Sequence, residues 1–207
     1  MENPLKNPNF RRWFGRSKVV DKSGNPLVVY HGTVHDNFNI FDPTRSRSEG
    51  VIYFAENPGY TKHFSVEKSD VGYNNPRTYP CYLKVENPLD MVKYGNVQRV
   101  HSFWVKALEK VGLEFSEEEK RSSYMYYKTQ FWGFIHSGTV IKKIREKFDG
   151  IRMKENFMPE QRTTAAWVVF EPTQIKSAIG NRGTYDPQNP DIRESLAKQI
   201  LRYCNEW

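Results

Sequence analysis

The feature that most constrains this chain is a change of texture along it: short apolar strands broken by turn residues enclose a middle patterned for helices. In the stretch from 9 to 87, Ser17-Lys18-Val19-Val20-Asp21 and Leu27-Val28-Val29-Tyr30 flank residues 22–26, a turn of Gly, Asn and Pro that predicts a hairpin. Val51-Ile52-Tyr53-Phe54 predicts a further strand. Asn57-Pro58-Gly59 opens a helix toward Phe64, because Pro suits a first helical turn, and 79–85 is a strand closed by Asn87-Pro88. In the middle, about 97–147, Phe103, Val105, Leu108 and Val111 recur at near-helical spacing. Ser116 with Glu119 makes a capping box, and Val140, Ile144 and Phe148 repeat every four residues. Strands return at 150–153, 166–170 and 174–178. A helical insert between strands specifies α+β, not an alternating βαβ sheet.

At roughly 100–200 residues per domain, the 207 residues predict one domain spanning 1–207, with a helical insertion at about 97–147. A C-terminal helix is expected at about 193–204, from the amphipathic Ser195-Leu196-Ala197-Lys198-Gln199-Ile200-Leu201. The apolar runs fall short of the ~20 residues of a membrane span, so no membrane partner is expected. The polar N-terminus lacks the apolar core of a secretory signal. Cys81 and Cys204 fit neither a metal spacing nor a disulfide framework, which suits a reducing, cytoplasmic setting. The five histidines show no paired spacing with Cys or carboxylates, so no metal is expected. A formal charge of +7 is compatible with a polyanionic partner.

Several short motifs in fixed order carry a resemblance. They are Trp13-Phe14-Gly15-Arg16-Ser17-Lys18-Val19-Val20-Asp21, Tyr30-His31-Gly32-Thr33, Val51-Ile52-Tyr53-Phe54-Ala55 and Asp149-Gly150-Ile151. Gln174-Ile175-Lys176-Ser177-Ala178 and Asn181-Arg182-Gly183-Thr184-Tyr185-Asp186 complete the series. Together they resemble the ADP-ribosyltransferase superfamily, most closely its bacterial and phage polyvalent-type branch. The resemblance implies a split antiparallel β-sheet core and NAD as co-substrate. Cleaving NAD between nicotinamide and ribose builds oxocarbenium character on the sugar, so the leaving ring and the ribose must be held and water excluded. In the family, the first-motif His bonds a ribose hydroxyl and the next Gly pairs through its backbone with the nicotinamide amide. These roles carry over to His31 and Gly32, with Thr33 completing the cofactor-binding motif. Relatives of the poly-ADP-ribose polymerase type place a hydroxyl eight positions, and an aromatic eleven positions, after the strand Tyr. From Tyr53 these are Thr61 and Phe64. Tyr53 and Phe64 would clamp the nicotinamide ring and Thr61 would bond its amide.

One position departs from the pattern. Relatives with a His-Tyr-Glu triad put the Glu just before a strand resembling Trp167-Val168-Val169-Phe170, and here that place is Ala166, which neither accepts a hydrogen bond nor moves a proton. Three accounts stand open. The Glu has been lost, by an inactivating change or otherwise, which is the preferred account; Glu160, Glu171 or Gln174 serves instead; or the protein binds without catalysing. Gln174, in the closing motif, is counted with His31, Tyr53 and position 166 as a candidate catalytic residue.

The fold alone does not choose an acceptor. Arg45 and Arg47 lie in a polar loop after His31, and Lys142 and Lys143 belong to a basic run on a predicted helix, so both pairs are candidate phosphate contacts. Rings at Tyr124, Tyr126, Tyr127, Phe131, Trp132 and Phe134 stand near Arg121 and Lys128, an interleaving that suits unpaired bases, although a small satellite core explains the rings too. The expectation is an ADP-ribosyltransferase toxin of bacterial and phage conflict acting on nucleic acid, single-stranded RNA foremost. The resemblance adds an antitoxin as a partner. The alternatives are transfer to a host protein, a non-catalytic NAD or nucleic-acid binding module, and an RNA 2′-phosphotransferase.

Overall fold

The computed structural model of the protein describes residues 4–34, 38–46, 50–65, 77–95, 99–124, 131–157 and 162–194. In chain order the described helices are α1 (Pro8–Phe14), α2 (Pro58–Ser65), α3 (His101–Glu109), α4 (Glu117–Tyr124), α5 (Phe131–Phe134) and α6 (Gly138–Lys147). The strands are β1 (Val29–Thr33), β2 (Ile52–Ala55), β3 (Arg77–Leu83), β4 (Pro88–Asp90), β5 (Gly150–Phe157), β6 (Arg162–Val169) and β7 (Ile175–Ser177). They fall into two compact units, one of 1–41, 56–86 and 171–207, the other of 42–55 and 87–170.

The first unit begins with a helix that the sequence reading passes over. The Asn7 side chain accepts hydrogen bonds from the amides of Asn9 (2.8 Å) and Phe10 (3.3 Å), and Pro8 takes the first helical position, where its missing N–H is not needed. Gly15, at φ 55°, ends α1. Phe10, Trp13 and Phe14 are buried beside Tyr82 of β3, and Tyr185 packs edge-on to Phe10. Burial holds both Tyr82 and Tyr185 phenols above their usual range. The hairpin expected across 17–30 reduces to one bridge, Val20 to Pro26, because the Asp21 carboxylate captures the amides of Ser23 and Asn25 and shapes a loop. Ladder pairing starts only at β1. β1 pairs antiparallel with β3, and β3 antiparallel with β7.

The closing motif is structural cement for this unit. Lys176 of β7 is fully buried, donates to Asn189 O at 2.8 Å and pairs with Glu194, whose second oxygen accepts from the Thr184 hydroxyl. Gly183 O accepts from the side-chain amides of Asn7 and Asn9 (3.0 and 3.1 Å), which fastens this stretch to the start of α1. A buried ammonium is tolerable only with such complete satisfaction. The C-terminal helix expected from about 193 falls outside the described residues beyond 194.

The second unit is a sheet in the order β4-β5-β6-β2 backed by helices. β5 and β6 form a long antiparallel pair, β6 pairs antiparallel with β2, and β4 joins β5 in parallel, with Pro88 opposite Gly150. The helical insertion supplies α3 to α6. Their apolar residues, among them Trp104, Leu108, Phe134, Val140 and Ile144, form one core with Ile151, Met153 and Val168 of the sheet. The capping box opens α4: the Ser116 amide donates to the Glu119 carboxylate (2.8 Å), and the Glu119 amide to the Ser116 hydroxyl (3.2 Å). Lys147 donates to Val111 O at 2.7 Å, just beyond the end of α3. The whole is an α+β fold, as the texture of the sequence implies.

Candidate active site

In the first unit His31 and Gly32 lie mid-strand on β1, opposite Tyr79 and Thr78 of β3. The half-buried His31 ring meets Phe41 edge-on at 5.0 Å, Phe41 meets Phe38 at 4.9 Å, and Phe38 stacks on Tyr79 at 4.5 Å. Such a bracket of rings limits the imidazole to few orientations. Thr33 ends the strand opposite Arg77. Gly32 also has a packing reason. A Cβ there would run into Thr61 of α2, 2.8 Å from its Cβ and 3.0 Å from its carbonyl carbon, so the missing side chain lets α2 lie against the strand. Thr61 itself is buried, its hydroxyl donating to Pro58 O (2.6 Å) and lying 3.0 Å from the Thr78 hydroxyl. The hydroxyl thus sits among α2, β1 and β3, beside Gly32. Phe64 belongs to the last turn of α2, and its side chain falls outside the described residues.

Gln174 occupies the 3-10 turn Pro172–Gln174 that leads into β7. Its amide accepts from the Glu171 N–H (2.9 Å) and donates to Lys84 O (3.0 Å), engaging both ends in the junction with β3. Glu171 is exposed at the cap of the same turn, and Glu160 lies outside the described residues. A cleft of about 160 Å³ in this unit has Arg77, Thr78 and Pro80 of β3 on its walls together with Ser177 and Arg193. The nearby Cys81 is fully buried and its thiol is pushed far up by desolvation, so it is no nucleophile.

In the second unit Tyr53 and position 166 share a surface. Opposed residues of antiparallel strands lie on one face, and β2 sets Tyr53 against Val168 and Ala55 against Ala166. On the other side β6 sets Ala166 against Met153 and Thr164 against Glu155. One face therefore carries Tyr53, Ala55, Ala166, Thr164, Met153 and Glu155. Tyr53 is half-buried and packs on the apolar core, while Ala166 is 2 % exposed within it. Glu155, which the sequence reading does not single out, is 8 % exposed.

The candidate phosphate contacts lie in this second unit, apart from Arg47, which falls outside the described residues. Arg45 ends the exposed 3-10 turn Pro43–Arg45. Lys142 is exposed on α6, and Lys143 pairs with Glu119 at 3.3 Å. Of the neighbouring rings, Phe131 and Phe134 are buried in the core of this unit, where no base can stack on them, and the side chains of Tyr124, Tyr126, Tyr127 and Trp132 fall outside the described residues. Among the described residues, no group of three or more His, Cys, Asp or Glu converges as for a metal ion, and no helix is long and apolar enough to cross a membrane.

The fold is α+β, with His31-Gly32-Thr33 on a strand of one unit and Tyr53 on a strand of the other. The chain matches the family described as ADP-ribosyltransferase in polyvalent proteins over residues 21–185, and it belongs to that family. No solved structure matches it.

Proposed function

We propose that the protein moves ADP-ribose from NAD to a nucleic acid, RNA foremost, as a toxin in bacterial and phage conflict. The observation that carries the NAD reading is the His31 imidazole held by Phe41 at the centre of a family-matched strand. By the family resemblance, His31 bonds the ribose, the Gly32 backbone and the Thr61 hydroxyl take the nicotinamide amide, and Tyr53 and Phe64 clamp the ring. An imidazole, hydroxyls and aromatic faces fit such a ligand in kind. NAD supplies an activated glycosidic bond; the chain supplies orientation and a dry surface.

The nucleic-acid acceptor is supported by the charge of +7 and by Arg77 and Arg193 on the walls of one cleft, a setting that favours a phosphodiester. The toxin role and an antitoxin partner rest on the likeness to phage-conflict effectors. The test is transfer of label from NAD, labelled in its adenylate, into RNA, DNA and protein fractions of a bacterial extract. Label that nuclease removes from the RNA fraction, and that falls steeply with salt, is the expected result. Label confined to protein would move the acceptor to a host protein. NAD binding without label in any fraction would leave a binding module.

A further inference from the structure

In the first unit the outer edge of β3 opens where β7 stops. Lys84 N donates to Gln174 O and Ala178 N to Pro80 O, both at 2.9 Å, so the even-numbered residues of β3 present their backbone to β7. Thr78 is the next of them, but β7 ends at Ser177 and the chain turns away through 178–180. The Thr78 amide and carbonyl therefore open on the cleft of about 160 Å³ whose walls also carry Ser177, Ile179 and Arg193. Ser177 is 4 % exposed, and its hydroxyl oxygen accepts from the amides of Ile179 (3.4 Å) and Gly180 (3.1 Å). The hydroxyl hydrogen is left to donate, and no acceptor among the described residues takes it. The exposed Arg193 lies along Gly180, where a Cβ would stand 3.3 Å from its Cγ and 3.4 Å from its Nε, so the glycine gives the arginine its path. Its guanidinium forms no ion pair among the described residues, and no carboxylate lines the cleft. Arg77 lies on the walls too but is engaged by another residue, so it adds to the field without being counted as a ligand.

A strand-edge amide, a buried hydroxyl and an unpaired guanidinium around a cleft without acids make a seat for an anion. We propose that this seat holds one backbone phosphate of a single-stranded RNA acceptor and so fixes which nucleotide meets the His31 strand. The inference rests on the transferase reading above. Arg193 takes the phosphate through two parallel N–H donors, and the Ser177 hydroxyl and Thr78 amide hold it from the sheet edge. Ile179, 71 % exposed on the wall of the cleft, offers apolar surface to the neighbouring unpaired base, which an acidic side chain of a peptide would leave bare. Tyr79 joins the seat to the candidate active site. It stands on the cleft wall, opposes His31 across the β1 and β3 pair, and stacks on Phe38 in the bracket of rings around that imidazole. Adjacent strands lie about 4.8 Å apart, so a phosphate at the outer edge of β3 registers the RNA one strand away from the one that carries His31. No bond to this phosphate forms or breaks; the seat binds and orients.

The experiment compares the protein with Arg193→Ala, Arg193→Lys and Ile179→Asp, all of which change exposed side chains. Fluorescence anisotropy of a labelled single-stranded RNA oligonucleotide across a salt series gives affinity and salt slope. NAD cleavage and label transfer to that RNA and to protein give kcat and both KM values, and thermal melting gives Tm. Arg193→Ala is expected to weaken RNA binding and raise KM for RNA about tenfold, and to lower the salt slope by about 0.7. KM for NAD, kcat and Tm are expected to stay little changed. Arg193→Lys keeps the charge but not the fork and is expected to recover only part, whereas Ile179→Asp is expected to lose as much as Arg193→Ala. Unchanged RNA binding in Arg193→Ala and Ile179→Asp overturns the inference, and leaves the transferase reading standing where label transfer continues. A raised KM for NAD with RNA binding intact overturns it too and gives the seat to the NAD diphosphate. Loss of label from protein alone overturns it in favour of an acidic peptide. An RNA affinity that falls in step with Tm in all three variants overturns it as a matter of folding. A wild type that cleaves NAD but neither binds nor labels RNA overturns the inference and spares the transferase reading, and one that cleaves no NAD with any acceptor overturns both.

Discussion

The two units of this molecule reach order by different means. In the first, small strands and loops are tied by side chains that reach across the sequence: Asn7 and Asn9 to Gly183, Trp13 to Thr173, Ser17 to Leu83, Lys176 to Glu194. In the second, helices lay apolar faces on a sheet and form one continuous core. A polar clasp fixes geometry but is brittle, since each removed partner leaves a buried group unsatisfied. An apolar core tolerates loss in proportion to the volume removed. The His31 strand belongs to the clasped unit and the Tyr53 surface to the cored one. The strand that bears His31 is thus held largely by side-chain hydrogen bonds around it, while Tyr53 stands on β2, whose pairing with β6 is backed by the apolar core.

The sharpest way to break this contrast is Lys176→Ala. It strands Glu194 and Asn189 O in a buried setting, and a loss of about 3–5 kcal/mol in denaturant unfolding is expected. Replacing both charges, Lys176→Met with Glu194→Leu, is expected to recover most of it, because the cost lies in the unpaired charge. A double variant no better than the single would mean that the clasp is packing under another name. In the second unit Leu108→Ala removes a fully buried side chain from the core, with an expected loss of about 2–5 kcal/mol that no second substitution at a polar site restores.

Gly32→Ala tests whether the first unit's tolerance is set by backbone contact. The new Cβ must displace α2 at Thr61, which predicts about 1–3 kcal/mol of destabilisation. A raised KM for NAD is expected to accompany it, since the strand that carries His31 shifts too. A variant with unchanged Tm and a raised KM would instead give Gly32 a purely ligand-facing role.

Much of the cored unit could be read from the sequence, because its signals are periodic. Val140 and Ile144 at spacing four do mark the buried stripe of α6, and Ser116 with Glu119 does cap α4. The clasped unit is legible only in part. Asn7-Pro8 is a helix start, and reading it would have found α1. Lys176 gives no such sign, because its partner Glu194 is chosen by the path of a loop and not by any period. Gly32 was legible as a glycine that matters, but the atom it makes room for belongs to α2 and is visible only in three dimensions. Glu155 escaped for a further reason. Lys154-Glu155-Asn156 has poor strand composition, so the sequence reading stops the strand at Met153, whereas pairing with β6 carries it on to Phe157.

The smallest expected effect is the one whose pH dependence separates two bonds of a single cap. Ser116→Ala removes the hydroxyl that accepts from the Glu119 amide and is expected to cost about 1 kcal/mol at neutral pH. Glu119 contributes differently. Its carboxyl, held by the Ser116 amide and by Lys143, titrates below the ordinary value of 4.5. A carboxyl with a depressed folded pKa adds stability that is complete above the unfolded value and is lost as pH falls through the folded one. Glu119→Ala is therefore expected to lower the unfolding midpoint at pH 7 and to approach the wild type as pH falls below the ordinary carboxylate range and through the folded value, while the Ser116→Ala deficit persists throughout. Melting curves of the two variants over a series of acid pH values decide the matter. A Glu119→Ala deficit that stays constant would mean that its methylene contacts on the α4 and α6 surface, and not its charge, are what this helix start needs from it.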